Sequence, residues 1–409
     1  MNVREYALDT LEQIVCRHGY ANLLLRQNEA GLSEQDMALA SELVYGTMRN
    51  YSFLEYQWKH MAPKARPRTE ILLNMSIYQL QFLDRIPSYA VIAEAGKLSA
   101  KRDEKFVNAI LHRVLEQGQI QPHEQDDLAD QAILTSHPLW LLKLWSSHYG
   151  KETALAIAAG DQQRPEVYGR LNTLKLSREQ LAKEADIHFV NDLSFTFDGV
   201  LARTEWFRSG AVVIQDLASA EIPLLLDPQP GMRVLDTCAA PGTKTQETAM
   251  LMRNEGEIDA FDLYPNRIRL IDELMAATGV SIVKAAAADA SVPNPQLMPE
   301  SFDRILIDAP CSGLGDLCHK PEIRMHVTPE SLDELAALQA RILEANAGFL
   351  KPGGIMVYST CTLNRKENEM QVQRFLKAHP EMHLETERTW LPFERHSDGF
   401  YTAKIRKGG

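Results

Sequence analysis

The sequence predicts a multidomain chain: an all-α N-terminal domain, a small α+β connecting region and an α/β C-terminal domain with a doubly wound parallel sheet. Three observations predict it. The chain has 409 residues, too many for one domain of ordinary size. Apolar residues recur at helical spacing through residues 1–118. From about Gln215 onward the rhythm becomes strand then helix, which gives a parallel sheet covered on both faces. The divisions fall at 1–130, 131–214 and 215–409.

In the first part Ile71, Met75, Tyr78 and Phe82 form one helical stripe, and Phe106, Ile110 and Val114 form another with Val107 and Leu111 beside them. Ser33 opens a helix that runs through Tyr45, with Gly46 as a candidate end. Pro63 and Pro67 bracket a basic loop, Lys64-Ala65-Arg66-Pro67-Arg68. Residues 118–130 are polar and acidic and contain Pro122, the pattern of a linker. Two more helices follow over 137–160. In the connecting region short strands are expected at 167–171, 187–190 and 195–197, with a helix over 177–185. In the last part strands are expected at 233–235, 258–261, 281–285, 304–307 and 355–359, and helices at 244–253, 265–278, 329–350 and 366–379. Final strands near 382–384 and 400–405 close the chain.

Composition narrows the function. No stretch approaches the roughly 18 apolar residues of a membrane span, and Met1-Asn2-Val3-Arg4-Glu5 leads into a charged helix rather than a signal core. A cytoplasmic protein with no membrane partner is expected. The five cysteines, Cys16, Cys238, Cys311, Cys318 and Cys361, are scattered without a CxxC pair. That pattern opposes a disulfide framework and a structural zinc site, so no metal is expected. The net charge of −12 opposes a nucleic-acid partner unless basic charge is concentrated locally. Residues 59–113 supply such a window, with Lys59, Lys64, Arg66, Arg68, Arg85, Lys97, Lys101, Arg102, Lys105 and Arg113 against Glu70, Asp84, Glu94, Asp103 and Glu104. A solvated helical surface explains the same window. If the window does meet nucleic-acid phosphates, Lys64, Arg66 and Arg68 are the candidate contacts.

Ligands of a doubly wound sheet lie at the carboxyl ends of its strands. Acids stand there four times: Asp236, Asp262, Asp289 and Asp308. Any one could simply cap a helix. Together they suit a ligand with a ribose, an amine and a positive charge, and they would repel a polyphosphate. Neither GxGxxG nor a phosphate-binding GxxxxGK[ST] is present. Spacing alone leaves NAD open. Cys311 and Cys361 each sit just past a neighbouring central strand and should face one cleft. Buried packing is the ordinary role of a lone cysteine; two at adjacent strand exits point to chemistry.

The segments DTCAAPGTKT (236–245), DAPCSGLG (308–315) and YSTCT (358–362), the last followed by Glu367-Asn368-Glu369, resemble the defining motifs of the RNA cytosine-C5 methyltransferases. Gln215-Asp216-Leu217-Ala218-Ser219, Asp398-Gly399-Phe400 and Arg170-Leu171-Asn172-Thr173 extend the resemblance. Glu42–Arg49, Tyr78–Leu83 and Phe106–Leu111 are similar to the NusB-like helical domain. The pairing resembles the bacterial small-subunit rRNA methyltransferase B group, also called Fmu or Sun. The resemblance implies a NusB-like RNA-binding domain, a Rossmann-like class I methyltransferase domain, S-adenosylmethionine as cofactor, 16S rRNA as partner and no obligate protein partner. It implies Cys361 as the nucleophile at cytosine C6, Asp308 at ring N3 and Cys311 in product release, all as covalent catalysis. Cys238, Ala239, Ala240, Pro241, Gly242, Thr243, Lys244, Asp262, Asp289 and Asp308 are implied as cofactor contacts. Arg170 and Asn172 of the RLNT segment are expected to touch RNA. Three departures stand out. Thr243 replaces the usual Gly, which implies a weaker cofactor loop. Asp316-Leu317-Cys318-His319-Lys320 replaces a basic run, and the segment before Asp289 is Ala-rich. Three alternatives stay open: N- or 2′-O-methylation on the same fold, a C5 methyltransferase of another RNA, and an RNA-binding assembly protein with weak or lost activity.

Overall fold

The computed structural model describes every residue except 1, 28–30, 124–125 and 185. The chain forms two compact units, Met1–Arg164 with Leu317–Val327, and Pro165–Asp316 with Thr328–Gly409.

The first unit is helical. Its helices include Val3–Arg17, Glu34–Arg49, Tyr51–Lys59, Pro67–Phe82, Ser88–Leu98 and Glu104–Gln117, followed by Asp127–Leu134, Leu139–Tyr149 and Lys151–Gly160. Leu8, Leu11, Leu43, Trp58, Leu73 and Leu111 are fully buried in one core. Ser33 caps its helix by accepting from the Asp36 N–H, as the sequence implies. Gly46 does not end that helix. It lies inside it because Tyr78 packs against its backbone: a Cβ there would come within 2.0 Å of Tyr78 Cζ, and the Tyr78 hydroxyl donates to Glu42 Oε1 at 2.6 Å. Pro67 does not close a loop either. It is the first residue of Pro67–Phe82, where its missing N–H costs nothing. The expected linker ends early, because Asp126 accepts from the Leu128 N–H and starts Asp127–Leu134. In Leu317–Val327, Arg324 donates to the carbonyls of Arg49, Thr135 and Asp161.

The second unit holds two sheets. The smaller contains β1 (Tyr168–Leu171), β2 (Ile187–Phe189), β3 (Ser194–Phe197) and β4 (Val212–Ile214), in the order β2-β3-β1-β4 with antiparallel pairing. β4 was not expected; three residues are too few to show a period. The helix expected over 177–185 is only Arg178–Leu181. The larger sheet has β5 (Arg233–Asp236), β6 (Glu257–Asp262), β7 (Val283–Ala287), β8 (Phe302–Asp308), β9 (Leu350–Thr360), β10 (Met382–Trp390) and β11 (Phe400–Lys407). Its order is β10-β11-β9-β8-β5-β6-β7. β5 to β9 pair in parallel and β10 and β11 add an antiparallel edge. Alternate residues feed opposite faces: Ile305, Ile307, Met356 and Tyr358 go to one core, Leu306, Ile355 and Val357 to the other. With both faces covered these strands read as continuous apolar runs. β10 is longer than expected because its middle is solvent-exposed and carries no apolar alternation. The chain reverses direction across the sheet between β5 and β8, and a crevice opens there at the strands' carboxyl ends.

Candidate active site

β5 delivers residues 237–242 to the crevice. Asp236 itself turns inward. It is buried, and its Oδ2 accepts from Thr245 Oγ1 at 2.7 Å. Burial pushes its carboxyl up to about 7. Of the four strand-end acids it is therefore the one that braces the turn. The other three line a cavity of about 300 Å³ together with Cys238, Ala240 and Pro310. Ala239, Pro241, Gly242, Thr243 and Lys244, also expected at the cofactor, do not line this cavity. Gly242 has φ 103°, a conformation that requires glycine. Thr243 is already the first residue of the helix Thr243–Leu251, so threonine there causes no backbone strain.

Asp262, at the end of β6, accepts from the amides of Ala240 at 3.3 Å and Tyr264 at 3.2 Å. Arg267 Nη1 lies 3.3 Å from the same carboxylate, and its Nη2 donates to the Ala240 carbonyl at 2.9 Å. Arg267 thus fastens the loop after β5 to the end of β6. Sequence reasoning missed it, since its spacing from Asp262 looks like an ordinary helical surface. Asp289 is exposed. Hydrogen bonds from the Ser291 hydroxyl and amide hold its carboxyl below the usual carboxylate range.

Asp308 ends β8. Its Oδ2 pairs with Lys244 Nζ at 2.6 Å and its Oδ1 accepts from Ser359 Oγ at 2.8 Å. Burial opposes the Lys244 charge, but attraction to Asp308, and then to Cys361, outweighs it and raises the ammonium's pKa. The loops after β8 and β9 bring Cys311 Sγ and Cys361 Sγ to 3.4 Å. The contact to Cys361, together with burial, pushes the Cys311 thiol well above its ordinary value. Burial likewise pushes Cys238 up to about 12. Three residues that the sequence did not single out join the two loops: Ser312, Thr362 and Gln339 meet around the buried Glu367. Gly315 and Gly399 come into close backbone contact. The Gly399 N–H donates to the Gly315 carbonyl at 2.7 Å, and a Cβ on Gly315 would fall 1.9 Å from Gly399 O.

The expected RNA contacts divide. Arg170 and Asn172 are fully buried and are corrected to internal residues. Arg170 donates to Gln215 Oε1 at 2.7 Å and to Gln246 Oε1 and lies 3.3 Å from Glu247. Asn172 donates to the carbonyls of Gly210 and Thr278. With no exposed surface, neither can reach a phosphate. In the basic loop Lys64 is exposed, but Arg66 pairs with Asp103, and Arg68 with Asp9 and Glu12. A larger cavity of about 510 Å³ lies in the helical unit, lined by Tyr89, Lys97, Asn108 and His112 among others. It holds no cysteine and no cluster of acids, so the chemistry belongs to the smaller crevice.

That crevice offers carboxylates for hydroxyl and amino donors, an apolar wall from Pro310, Leu338 and Ile342, and negative charge for a sulfonium. The donor set fits S-adenosylmethionine.

Comparison with known proteins agrees. Residues 223–406 match the family model described as 16S rRNA methyltransferase RsmB/F. Residues 1–116 match the NusB family, and residues 137–187 match the ferredoxin-like domain of RsmF/B-like methyltransferases. A probable ribosomal RNA small subunit methyltransferase B of Bacillus subtilis is 34% identical over 446 residues, covering 100% of this chain and 99% of that one. Ribosomal RNA small subunit methyltransferase B of Yersinia pseudotuberculosis is 32% identical, covering 99% of each. The crystal structure of a methyltransferase homolog protein from Pyrococcus horikoshii superposes with a TM-score of 0.61 at 30% identity, covering 69% of this chain and 100% of that one. Full-length identity and the crevice with its paired thiols lead to one conclusion: the chain belongs to the ribosomal RNA small subunit methyltransferase B family.

Proposed function

We propose that this protein methylates carbon 5 of a cytosine in 16S rRNA, with Cys361 as the nucleophile. The observation that carries the reading is the pair of thiols 3.4 Å apart beside the Lys244–Asp308 pair at the rim of the cofactor crevice. N- or 2′-O-methylation needs no thiol.

Cytosine C5 is a poor nucleophile until C6 is attacked. In this reading Cys361, reacting as its thiolate, forms a sulfur–C6 bond and drives the ring electrons toward C5. Asp308 shares a proton with ring N3 as charge gathers there, and Ser359 and Lys244 hold its two oxygens. S-adenosylmethionine supplies an electrophilic methyl group to C5. Transfer of the C5 proton to water then returns the electron pair to the C5–C6 bond and expels the Cys361 sulfur as a thiolate. Cys311 stays protonated at neutral pH, so its thiol can hand a proton to that departing sulfur. Asp262 takes the cofactor's ribose hydroxyls, and Asp289 lies at the open side of the same cavity.

Among the described residues no helix is long and apolar enough to cross a membrane; we place the activity in the cytoplasm. In this reading the helical part, 1–130, holds the RNA, and 131–214 connects it to the catalytic part, 215–409. Bisulfite sequencing of rRNA from cells lacking the gene tests the substrate. One 5-methylcytosine of 16S rRNA should disappear and return with the wild-type gene but not with Cys361→Ser. Unchanged 16S rRNA with a mark lost elsewhere would assign another RNA.

A further inference from the structure

We infer that Glu367 is a positioning residue that sets the approach of the two thiols by tying the loop after β8 to the loop after β9. The inference rests on the roles proposed above for Cys361 and Cys311.

Glu367 is fully buried. Its Oε2 accepts from the Ser312 amide and from Gln339 Nε2, both at 2.9 Å. Its Oε1 accepts from Ser312 Oγ at 2.6 Å and from Asn364 Nδ2 at 2.9 Å. A carboxylate has lone pairs for all of these donors and brings no proton of its own. Ser312 follows Cys311 directly, and Thr362 follows Cys361 directly. Their hydroxyls lie 2.6 Å apart, and the Leu314 amide donates to Thr362 Oγ1 at 3.3 Å. One chain of hydrogen bonds therefore runs in a single direction, from the Leu314 amide through Thr362 and Ser312 into Glu367. Such a chain is cooperative in a low-dielectric interior. The Cys361 carbonyl joins the same lattice by accepting from the Gly315 amide at 3.0 Å. Asn368 fastens the second loop by donating to the Thr362 carbonyl and accepting from Thr360 Oγ1.

The network ends beside the cysteines on both sides. Holding the fold together would not need this. Burying a carboxylate is expensive, and apolar side chains could fill the same space. What the carboxylate achieves is one defined spacing of two loops that carry 3.4 Å-separated thiols. Replacing it with glutamine presents an amide N–H₂ to donors and breaks the chain at its acceptor.

The test uses the full-length protein and a substrate rRNA fragment. Glu367→Gln should slow release of the Cys361 adduct, so that the adduct accumulates on denaturing gels although Cys311 is intact. Turnover should fall roughly tenfold or more, the size of coupling expected between groups in one network. KM for RNA and the calorimetric affinity for S-adenosylmethionine should stay close to wild type, which a general loss of folding would not allow. In a Cys311→Ala background the same substitution should change the adduct's lifetime by less than about twofold, because the thiol it positions is gone. Wild-type adduct lifetime in Glu367→Gln overturns the inference. So does an equal slowing in both backgrounds, or a parallel loss of cofactor affinity. If Glu367→Gln does not fold, Ser312→Ala cuts the chain and leaves the carboxylate's other donors; it should accumulate the adduct, and its failure to do so is equally fatal. Absence of any adduct in Cys311→Ala instead sinks the assignment of Cys311 and Cys361, and the inference falls with it.

Discussion

The sulfur of Cys311 lies 3.4 Å from the sulfur of Cys361, although the two residues belong to different strand–loop segments. β8 and β9 pair in parallel, and after a register shift between Phe302 and Arg304 the pairing runs evenly to Asp308 opposite Ser359. Each chain then continues for only a few residues before its cysteine. Adjacent parallel strands that end together must deliver their next residues to the same place.

The nucleophile assignment predicts a separation of binding from chemistry. Cys361→Ser should abolish methylation and leave S-adenosylmethionine affinity nearly intact, because the sulfur attacks the base. Single-turnover assays beside calorimetry check this. Methyl transfer surviving in the variant would remove Cys361 from its role.

Cys311 should matter after the methyl is transferred. Cys311→Ala is expected to trap a covalent protein–RNA adduct, seen as a slow band on a denaturing gel. The double variant with Cys361→Ser should show none. A band persisting in the double variant would identify a different attacking residue.

Asp262 holds two amides and Arg267 already, which aims its carboxylate at the cavity before a ligand arrives. Hydrogen bonds to a charged acceptor are worth about 1.5–3 kcal/mol each. Asp262→Ala should therefore weaken S-adenosylmethionine binding roughly tenfold or more. RNA affinity, measured in the absence of cofactor, should not move. Unchanged cofactor affinity would place the ribose elsewhere.

Burial separates two basic residues that look alike in sequence. Arg170→Ala breaks a fully buried pair with Glu247 and should destabilise the protein by about 3–5 kcal/mol. It should leave the salt slope of RNA binding unchanged. Lys64→Gln touches an exposed cation and should leave the melting temperature alone. If Lys64 meets a phosphate, the slope falls by roughly 0.7–0.9. A salt titration of RNA binding with both variants, beside their melting curves, checks this. A flattened slope in the Arg170 variant would contradict its internal placement.

The sequence by itself determined the strand–helix alternation of the catalytic half, the acids at the strand ends and the two cysteines past neighbouring strands. All three follow from short-range periodicity and from a parallel sheet placing its loops at one edge. It also carried the family motifs. Only the tertiary structure decided which acids reach the cavity, because Asp236 and Asp262 end adjacent strands in the same way and differ only in which way the side chain turns. Burial of Arg170 was equally illegible: a guanidinium reads as a surface cation until Gln215, Gln246 and Glu247, distant in sequence, are seen around it. Glu367 was marked in the sequence as part of a family motif, but its place between the two loops was not, since its donors come from positions 312, 339 and 364. Periodicity records which residues are apolar and how often; it does not record which polar groups meet once distant segments are packed together.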